Sequence, residues 1–266
     1  MRRQLKIVDI HVHLLAGLDD GPRTQEDAVE MCRMAYEDGT DWMCATAHQN
    51  HHYPDVTPKV IADAFAKLRA STNAAGLGEL SLKPSAEIMA DEDFEKGWEE
   101  GKHLSIGDHK KYLLVEMPDG KCYNLCRTIK FYAKQNLKVI IAHPERQPGL
   151  LYRDDLMEAM LAEGALVQVS AESVTHPKSK LDAKALRTWF KRDIVHFMGS
   201  DGHSPRRRLP LLGDAFDIVC KWIGFSAADR IFSGNGLKLV QGLPIKVPPI
   251  KPVQKKAWFK QLFSAR

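Results

Sequence analysis

The sequence predicts an α/β barrel built as one large domain. Apolar runs of strand length alternate with longer segments of helical period, and a His or carboxylate side chain follows nearly every run. Strict alternation of strand and helix implies parallel strands joined by right-handed crossovers. Seven such units can lie as an open sheet or close as a barrel. We expect the barrel, because all its strands end at one mouth, where the side chains that follow them can converge.

The seven predicted strands are short runs rich in β-branched and other apolar residues. In chain order they are VDI (8–10), WMCAT (42–46), LKPSA (82–86), YLLVEM (112–117), VIIAH (139–143), LVQVS (166–170) and VHFMGS (195–200).

Five helices are predicted between these strands. The first, over residues 24–39, has Thr24 as its N-cap, acidic residues in its first turn and Gly39 at its end, which are the usual signals of a helix start and stop. The second ends at Gly76. By the same rule, the helices cover residues 24–39, 58–76, 125–136, 154–164 and 182–193.

Size and composition are those of an ordinary soluble protein. A chain of 266 residues fits one large barrel, and 44% hydrophobic with 27% charged residues is typical of globular domains. No apolar run has the length of a membrane span. The N-terminus enters a strand at once, unlike a signal peptide. Five cysteines at irregular spacing then indicate reduced thiols, so we expect a cytoplasmic location.

A basic tail follows the predicted barrel of residues 1–247. No acidic residue occurs after Asp229, and residues 248–266 combine lysines with Trp258, Phe259, Leu262 and Phe263. Prolines at its start predict an extended segment that leaves the barrel. The preferred interpretation is a short helix that packs back on the domain, or a disordered end. The alternative is weak contact with an anionic membrane surface.

Histidines and carboxylates cluster after the predicted strands. Five of the 11 histidines follow a strand within four residues. Imidazole and carboxylate are ligands of borderline and hard divalent ions. One such residue alone can equally be a helix cap or a hydrogen-bonded core group, but the joint pattern favours metal. Nine candidates suit two or three ions: His11, His13, Asp20, His48, Glu87, Glu116, His143, Asp201 and His203.

The other six histidines do not fit this pattern, and we assign them to the surface or to structural roles. His196 lies inside a predicted strand and is expected to be a core residue. No Gly-rich phosphate loop is present, because GLDDGP lacks both the P-loop lysine and the dinucleotide fingerprint. Cys122 and Cys126 are four apart on a predicted helix, but no second cysteine pair completes a zinc site.

The motifs together resemble a known superfamily. DIHVHLLAGLDDGP, TAHQNHHYP, SAEI, LLVEMP, IIAHPER and GSDGH are similar to the polymerase and histidinol phosphatase (PHP) superfamily. Within it they resemble the CpsB/CapC (YwqE-like) type, the manganese-dependent tyrosine-protein phosphatases of capsule and exopolysaccharide loci. The resemblance covers residues 8–244, and DDGP and HPER are its most discriminating segments. It implies a distorted (β/α)₇ barrel, in agreement with the seven strands found independently.

The resemblance also implies a trinuclear metal centre. One ion would bind His11, His13, Glu87 and Asp201; a second would share Glu87 and add Glu116 and His143; a third would bind Asp20, His48 and His203. The implied metal is Mn²⁺, and the mixed ligands also suit Fe or Zn. The sequence departs from the family pattern at Ala47, where a proline is expected.

Arg146 and Arg208 are expected to bind the substrate phosphate, since a guanidinium matches a phosphate in two parallel hydrogen bonds. Asp201 is grouped with them as catalytic, and a metal-bridging hydroxide would attack phosphorus. Arg206 and Arg207 are interpreted as surface residues.

A thiol mechanism is excluded by spacing. Thiol-based tyrosine phosphatases need an Arg six residues after the catalytic Cys. In this chain those positions are Asp38, Asn50, Thr128, Tyr132 and Ser226. Any phosphatase activity must therefore depend on metal.

The implied substrate is a phosphotyrosine protein, in particular an autophosphorylating bacterial tyrosine kinase of polysaccharide export. A histidinol-phosphate or other small-molecule phosphatase is an alternative on the same site. A non-catalytic metal-binding scaffold in polysaccharide assembly is another. A nuclease-like activity is disfavoured by the mild net charge of +4. The sequence leaves the oligomeric state open.

Overall fold

Parallel strands form the centre of the molecule. The computed structural model describes residues 6–118 and 125–252. Within them the strands are β1 (Ile7–His13), β2 (Thr40–Thr46), β3 (His48–Gln49), β4 (Ser81–Pro84), β5 (Glu87–Met89), β6 (Tyr112–Glu116), β7 (Lys138–Ala142), β8 (Leu166–Ser170) and β9 (Phe197–Gly199). They pair in parallel in two sheets, ordered β1-β2-β4 and β3-β5-β6-β7-β8-β9.

Two of the seven predicted strands are followed by a second short strand that lies beyond the predicted range. Ala47 separates β2 from β3, and two residues separate β4 from β5. Backbone hydrogen bonds between these two neighbouring passes continue across the gaps. Ser85 N–H donates to Ala45 O and Glu87 N–H donates to Ala47 O, both at 3.0 Å. The described strands therefore correspond to seven passes of the chain, as predicted.

The mouth ends of β1 and β9 close the ring. Asp201 N–H donates to His11 O at 2.8 Å, and His13 N–H donates to Gly202 O at 2.9 Å. These bonds join the segment after β9 to the first strand. The prediction of a distorted seven-unit barrel is confirmed.

The five predicted helices are present with shifts of a few residues at their ends. Thr24 Oγ1 accepts from Asp27 N–H, and Gly39 ends the first helix with φ 107°. Because only glycine adopts such a conformation readily, the sequence signal was reliable there. The five are α1 (Gln25–Asp38), α2 (Pro58–Ala74), α4 (Cys126–Ala133), α6 (Asp154–Ala162) and α8 (Lys180–Lys191).

Further helices had no counterpart in the sequence prediction. They are α3 (Phe94–Glu99), α5 (Pro148–Leu151), α7 (Ala171–Thr175), α9 (Gly213–Ile223), α10 (Phe225–Asp229) and α11 (Asn235–Val240), with a π-helical turn at Arg230–Gly234 and 3₁₀ turns at Ile106–Asp108 and Pro144–Arg146.

The segment around α11 closes the end of the barrel where the strands begin. Asn235 Nδ2 donates to His196 O at 2.9 Å, and Tyr112 Oη donates to Leu243 O at 2.7 Å. Gly236 lies so close to Val8 that a Cβ would come within 2.5 Å of the Val8 Cβ. Closure at this end leaves the opposite mouth as the accessible end of the barrel.

The apolar core has two parts. Alternate strand residues such as Ile10, Leu114 and Phe197 fill the barrel interior, and a larger cluster packs the outer faces of the strands against the helices. Buried alternation on both faces is typical of parallel barrels. The inner cluster supports the mouth from below.

The described part of the tail is attached to the closed end. Lys251 N–H donates to Arg192 O at 2.9 Å, Arg192 Nε donates to Lys251 O at 2.8 Å, and Lys251 Nζ lies 2.6 Å from Asp193 Oδ2. The predicted tail residues from 253 onward, with Trp258 and its aromatic neighbours, lie outside the described residues, as does Cys122. Among the described helices, none combines the length and the apolar character needed to cross a bilayer.

Candidate metal centre

A bulge in β1 turns two histidines into the mouth. Val8 and Ile10 belong to the inner core, so simple alternation would place His11 and His13 on the outer face. The register with β2 shifts between Asp9 and Val12. The extra residue reverses the alternation, and both histidines lie inside, fully buried.

The other predicted ligands arrive from the remaining strand ends. Glu116 is the last residue of β6, and His143 directly follows β7. His48 and Glu87 pair directly across β3 and β5. The structure brings all nine predicted residues together at the mouth. They are His11, His13, Asp20, His48, Glu87, Glu116, His143, Asp201 and His203.

Glu87 lies at the centre of the cluster. Its Oε2 is 3.2 Å from His11 Nε2, 3.4 Å from His13 Nε2 and 3.3 Å from His48 Nδ1. Its Oε1 is 2.9 Å from His143 Nε2. One carboxylate thus contacts four imidazoles, the arrangement expected of a bridging ligand.

A second group surrounds Asp20. Its Oδ1 lies 3.4 Å from His48 Nε2 and 3.3 Å from His203 Nε2. Glu116 also contacts the cluster: its Oε1 lies 3.7 Å from His143 Nε2, and its Oε2 lies 3.8 Å from His48 Nδ1. Asp20, His48 and His203 thus lie together, as in the third ligand set that the resemblance implies, whereas Glu116 lies near His143 of the second set and His48 of the third.

The donor atoms fit divalent ions. Four groups have donor atoms that all lie within 4.8 Å of one another: His13, Asp20, His48 and His203; His11, Glu87 and His143; His11, His13 and Asp201; and His48, Glu87 and Glu116. Donors about 2.0–2.2 Å from one ion can be at most about 4.4 Å apart, so small adjustments suffice.

Unpartnered atoms support the same conclusion. Glu87 Oε2, His48 Nδ1 and His203 Nε2 are buried without a hydrogen-bond partner. His11 Nε2 and His13 Nε2 face each other at 3.2 Å. Buried polar atoms without partners are costly in a protein interior, and coordination would satisfy all of them.

Two residues that the sequence interpretation missed orient these ligands. Asp19 Oδ2 accepts from His13 Nδ1 at 2.7 Å and from His48 N–H at 2.9 Å. Gln168 Oε1 lies 3.0 Å from His11 Nδ1. The contacts at the two Nδ1 atoms direct the other ring nitrogen, Nε2, of His13 and of His11 towards the cluster. Gln168 was detectable as a polar residue at an inward position of an apolar strand, but spacing alone did not distinguish the role of Asp19 from that of Asp20.

Two arginines converge on Asp201. Arg146 Nη1 donates to Asp201 Oδ2 and its Nη2 donates to Ser170 Oγ at 3.0 Å. Arg208 Nη2 donates to the same Asp201 oxygen at 2.5 Å. Both line the metal cavity, of about 240 Å³. Arg206 is largely exposed and lies 3.4 Å from Asp27, and Arg207 is exposed, as predicted.

Burial and charge shift the titration of the cluster. Burial raises the pKa of Glu87, but His11 and His143 outweigh it and hold that pKa well below its usual value. Burial lowers the pKa of His143, but Glu87 outweighs it and the net pKa rises to about 9. Burial and the neighbouring Glu87 raise the pKa of Glu116. The main charge effects on these three pKa values thus come from groups within the cluster itself.

Backbone conformation also marks the site. His143, Asp201 and Arg208 have φ of 30°, 51° and 50°. Non-glycine residues rarely adopt positive φ, and such residues concentrate at functional sites. At these three residues the positive φ, rather than the regular alternation of a strand, sets the direction of the side chain.

The remaining histidines have other environments. His51 and His52 are exposed. His196 is buried and its Nδ1 accepts from Val167 N–H at 3.0 Å, which confirms the expectation of a core histidine beside the ladder.

Comparison with known proteins decides the family. The model of the family described as "Capsular polysaccharide synthesis, CpsB/CapC" matches residues 7–241. The chain belongs to the CpsB/CapC family. The resemblance seen in the motifs is therefore confirmed.

Curated relatives match over nearly their whole length. Tyrosine-protein phosphatase YwqE of Bacillus subtilis (strain 168) is 28% identical over 257 residues, with 95% of this chain and 99% of the relative covered. Tyrosine-protein phosphatase CpsB of Streptococcus pneumoniae is 25% identical over 240 residues, with 88% and 98% covered. A putative tyrosine-protein phosphatase CapC of Staphylococcus aureus is 26% identical over 255 residues, with 95% and 99% covered.

The fold of the family is also shared. A chain from the crystal structures of YwqE from B. subtilis and CpsB from S. pneumoniae, described as unique metal-dependent tyrosine phosphatases, superposes with a TM-score of 0.86 at 24% identity, covering 94% of this chain and 100% of that one. A probable 2-pyrone-4,6-dicarboxylic acid hydrolase from Acinetobacter baumannii gives a TM-score of 0.53 at 13% identity, covering 89% and 100%. These matches agree with a distorted barrel of the PHP type.

Proposed function

We propose that this protein is a metal-dependent protein-tyrosine phosphatase. The observation that carries the proposal is one mouth in which nine metal-type side chains cluster, and in which six of them line a common cavity together with two arginines. The relatives named as tyrosine-protein phosphatases support it. We assign the phosphatase to a barrel over residues 1–247, and residues 248–266 to a separate tail.

The nine clustered residues would hold two or three ions, in the three sets that the resemblance implies, with Mn²⁺ as the proposed metal. Mixed imidazole and carboxylate ligands suit manganese. Bound divalent ions would lower the pKa of a water towards ~7 and polarise phosphoryl oxygens.

The protein's own side chains supply positioning. Arg146 and Arg208 present guanidinium groups to the phosphate, and their attachment to Asp201 fixes their direction. Such groups stabilise charge on the equatorial oxygens as phosphoryl transfer proceeds. A water oxygen bonds to phosphorus, the bond to the tyrosyl oxygen breaks, and the proton that the attacking water loses passes to solvent. Because the phenol has a pKa of about 10, the leaving group can depart as phenolate without a strong acid, and it then takes a proton from water.

The described thiols do not serve this reaction. Burial raises the pKa of Cys32 to about 12 and raises that of Cys44, so both remain protonated and poorly nucleophilic. Among the described residues, the lining of the metal cavity includes no cysteine. Thiol alkylation should therefore leave activity nearly unchanged, whereas a chelator should abolish it.

The proposed substrate is a phosphotyrosine protein, and more narrowly a bacterial tyrosine kinase that phosphorylates itself and acts in capsule or exopolysaccharide synthesis. The family description links the chain to capsular polysaccharide synthesis.

A substrate panel tests the proposal. Purified protein with Mn²⁺ is given a phosphotyrosine peptide, histidinol phosphate or single-stranded DNA, each with and without chelator. We expect chelator-sensitive turnover of the phosphotyrosine peptide. Faster turnover of histidinol phosphate would replace the proposal with a small-molecule phosphatase. No turnover of any substrate by fully metal-loaded protein would favour the alternative of a non-catalytic metal-binding scaffold.

A further inference from the structure

A second cavity adjoins the metal cavity and has a different character. It encloses about 380 Å³, and Arg146 lines both cavities. Among the residues that the structure describes, the metal cavity is lined by charged and amide side chains and imidazoles. The second one, which we call the side cavity, is lined by Glu145, Leu151, Tyr152, Ser173, Pro177 and Leu186, among others.

The floor of the side cavity is apolar. Leu151 and Leu186 are 5% and 2% exposed, and Pro177 and Tyr152 form part of the wall. The rim carries both signs of charge, with Glu172 and Asp182 on one hand and Lys178 on the other. The cavity therefore offers an apolar surface at Leu151 and Leu186 that is surrounded by charged side chains.

One buried polar group in the wall is without a partner. Glu145 is only 7% exposed. Its Oε1 accepts from Ser170 N–H at 2.9 Å, whereas its Oε2 has no hydrogen-bond partner. This oxygen is shielded from solvent, so it offers no contact to an occupant of the cavity.

Arg146 connects the two cavities chemically. Its Nη1 faces Asp201 in the metal cavity, while its Nη2 donates to Ser170 Oγ and lies 3.7 Å from Glu172 Oε2. A phosphate held by Arg146 would place the rest of its carrier beside the side cavity. The volume lies in the range of clefts that hold ligands larger than one ring.

We propose that the side cavity binds the peptide segment next to the phosphotyrosine, with an apolar side chain of that segment against Leu151 and Leu186. A peptide supplies an apolar side chain for the surface at Leu151 and Leu186, whereas a simple aryl phosphate has no such side chain. This inference rests on the proposed phosphatase activity and adds sequence preference to it.

Filling the cavity tests the inference. Ser173 is half-buried on α7, lines the side cavity and does not line the metal cavity. Ser173→Phe would occupy the space, Ser173→Ala would not, and Ser226→Phe places the same ring on the exposed start of α10. Each protein, loaded with Mn²⁺, is assayed with p-nitrophenyl phosphate and with phosphotyrosine peptides that carry Leu or Ala beside the phosphotyrosine. Metal content is measured in each.

We expect the wild type to prefer the Leu peptides by about tenfold or more in kcat/KM, as for other apolar pockets. Ser173→Phe should remove this preference, mainly through KM, while turnover of p-nitrophenyl phosphate and metal content stay within about twofold. Both control variants should keep the preference.

Two results would overturn the inference while leaving the phosphatase intact: equal turnover of Leu and Ala peptides by the wild type, or equal losses on peptides and p-nitrophenyl phosphate in Ser173→Phe. If the wild type hydrolyses no aryl phosphate, the proposed function fails first, and the inference fails with it.

Discussion

At the scale of single residues, the metal centre depends on groups that hold the ligands as much as on the ligands. Asp19 fixes the ring of His13 and also accepts from the backbone N–H of His48 and of Gly21. One carboxylate thus joins the loop after β1 to the start of β3. Orienting partners of this kind set the tautomer of a metal-binding histidine.

Replacing Asp19 by Asn should weaken metal binding about tenfold to a hundredfold, because the neutral amide holds the His13 ring less firmly. Mn²⁺ titration by calorimetry, together with metal analysis after dialysis, measures the effect. Asp55→Asn, at an exposed position, is the matched control. Unchanged Mn²⁺ affinity in Asp19→Asn would show that this bond does not position the ligand.

The arginines after His203 differ in role although they are consecutive. Arg208 reaches Asp201, whereas Arg206 points to Asp27 on α1. Arg208→Lys should lower kcat/KM for a phosphotyrosine peptide about tenfold to a hundredfold, because an ammonium cannot replace the guanidinium fork. Arg206→Lys should change it by less than twofold. Similar losses in both variants would contradict the assignment of phosphate binding to Arg208.

At the scale of elements, the ends of strands and the caps of helices were predictable. A bulge that changes which face of a strand the following residues occupy was not. Thr24 and Gly39 bound α1 as the sequence indicates, since local capping decides those positions. The bulge between Asp9 and Val12 has no local signature, and it is the feature that turns His11 and His13 inward. The sequence therefore revealed which residues meet, but not how they are aimed.

The unpredicted helices have a related explanation. Residues 213–240 lie after the last strand and contain no repeat of the strand-helix pattern. Their conformation depends on packing against the closed end of the barrel, as for Gly236 against Val8. Tertiary contacts of this kind are not visible in a window of sequence.

The pairing of β8 with β9 contains a titratable core group, His196. Burial, with a further contribution from Arg230, lowers the pKa of His196 to about 4 from 6.5, against an opposing effect of Asp193. The native state thus holds the neutral ring, and below pH 6.5 the unfolded state binds more protons. Its contribution to stability is full above pH 6.5 and is lost as the pH falls towards 4.

The expected loss from this residue is about 2–3 kcal/mol in the free energy of unfolding between pH 7 and 4.5. Urea denaturation of the wild type and of His196→Asn at both pH values measures it, because the Asn oxygen can accept from Val167 N–H without titrating. The variant should be less stable at pH 7 but should lose less on acidification. Equal losses in both proteins would assign the acid sensitivity to other groups.

At the scale of the whole molecule, the two ends of the barrel have separate tasks. The closed end carries α11 and the attachment of the tail at Lys251. The open end carries the ligand cluster, the two arginines and the side cavity. The last described residues, around Lys251, therefore lie at the end opposite to the proposed substrate site.

The ligand cluster also has consequences for the stability of the barrel. Its residues come from the ends of six of the seven strand passes, and four of them are carboxylates: Asp20, Glu87, Glu116 and Asp201. Without cations, the buried carboxylates of Glu87 and Asp201 and the unpartnered imidazole atoms must be offset by neighbouring groups alone. Bound ions would join the strand ends and stabilise only the folded state.

Removing the metal should therefore lower the thermal stability as well as the activity. An ion present at about a thousand times its Kd adds about 4 kcal/mol to the free energy of unfolding, which for a domain of this size corresponds to a Tm shift of roughly 8–16 °C. Differential scanning calorimetry with Mn²⁺, and again with excess chelator, measures it. Asp19→Asn should show a smaller shift at the same Mn²⁺ concentration, because its lower affinity reduces the same linkage. An unchanged Tm on chelation, in protein shown by analysis to have lost its metal, would mean that the mouth is rigid without ions and that the cluster acts in catalysis alone.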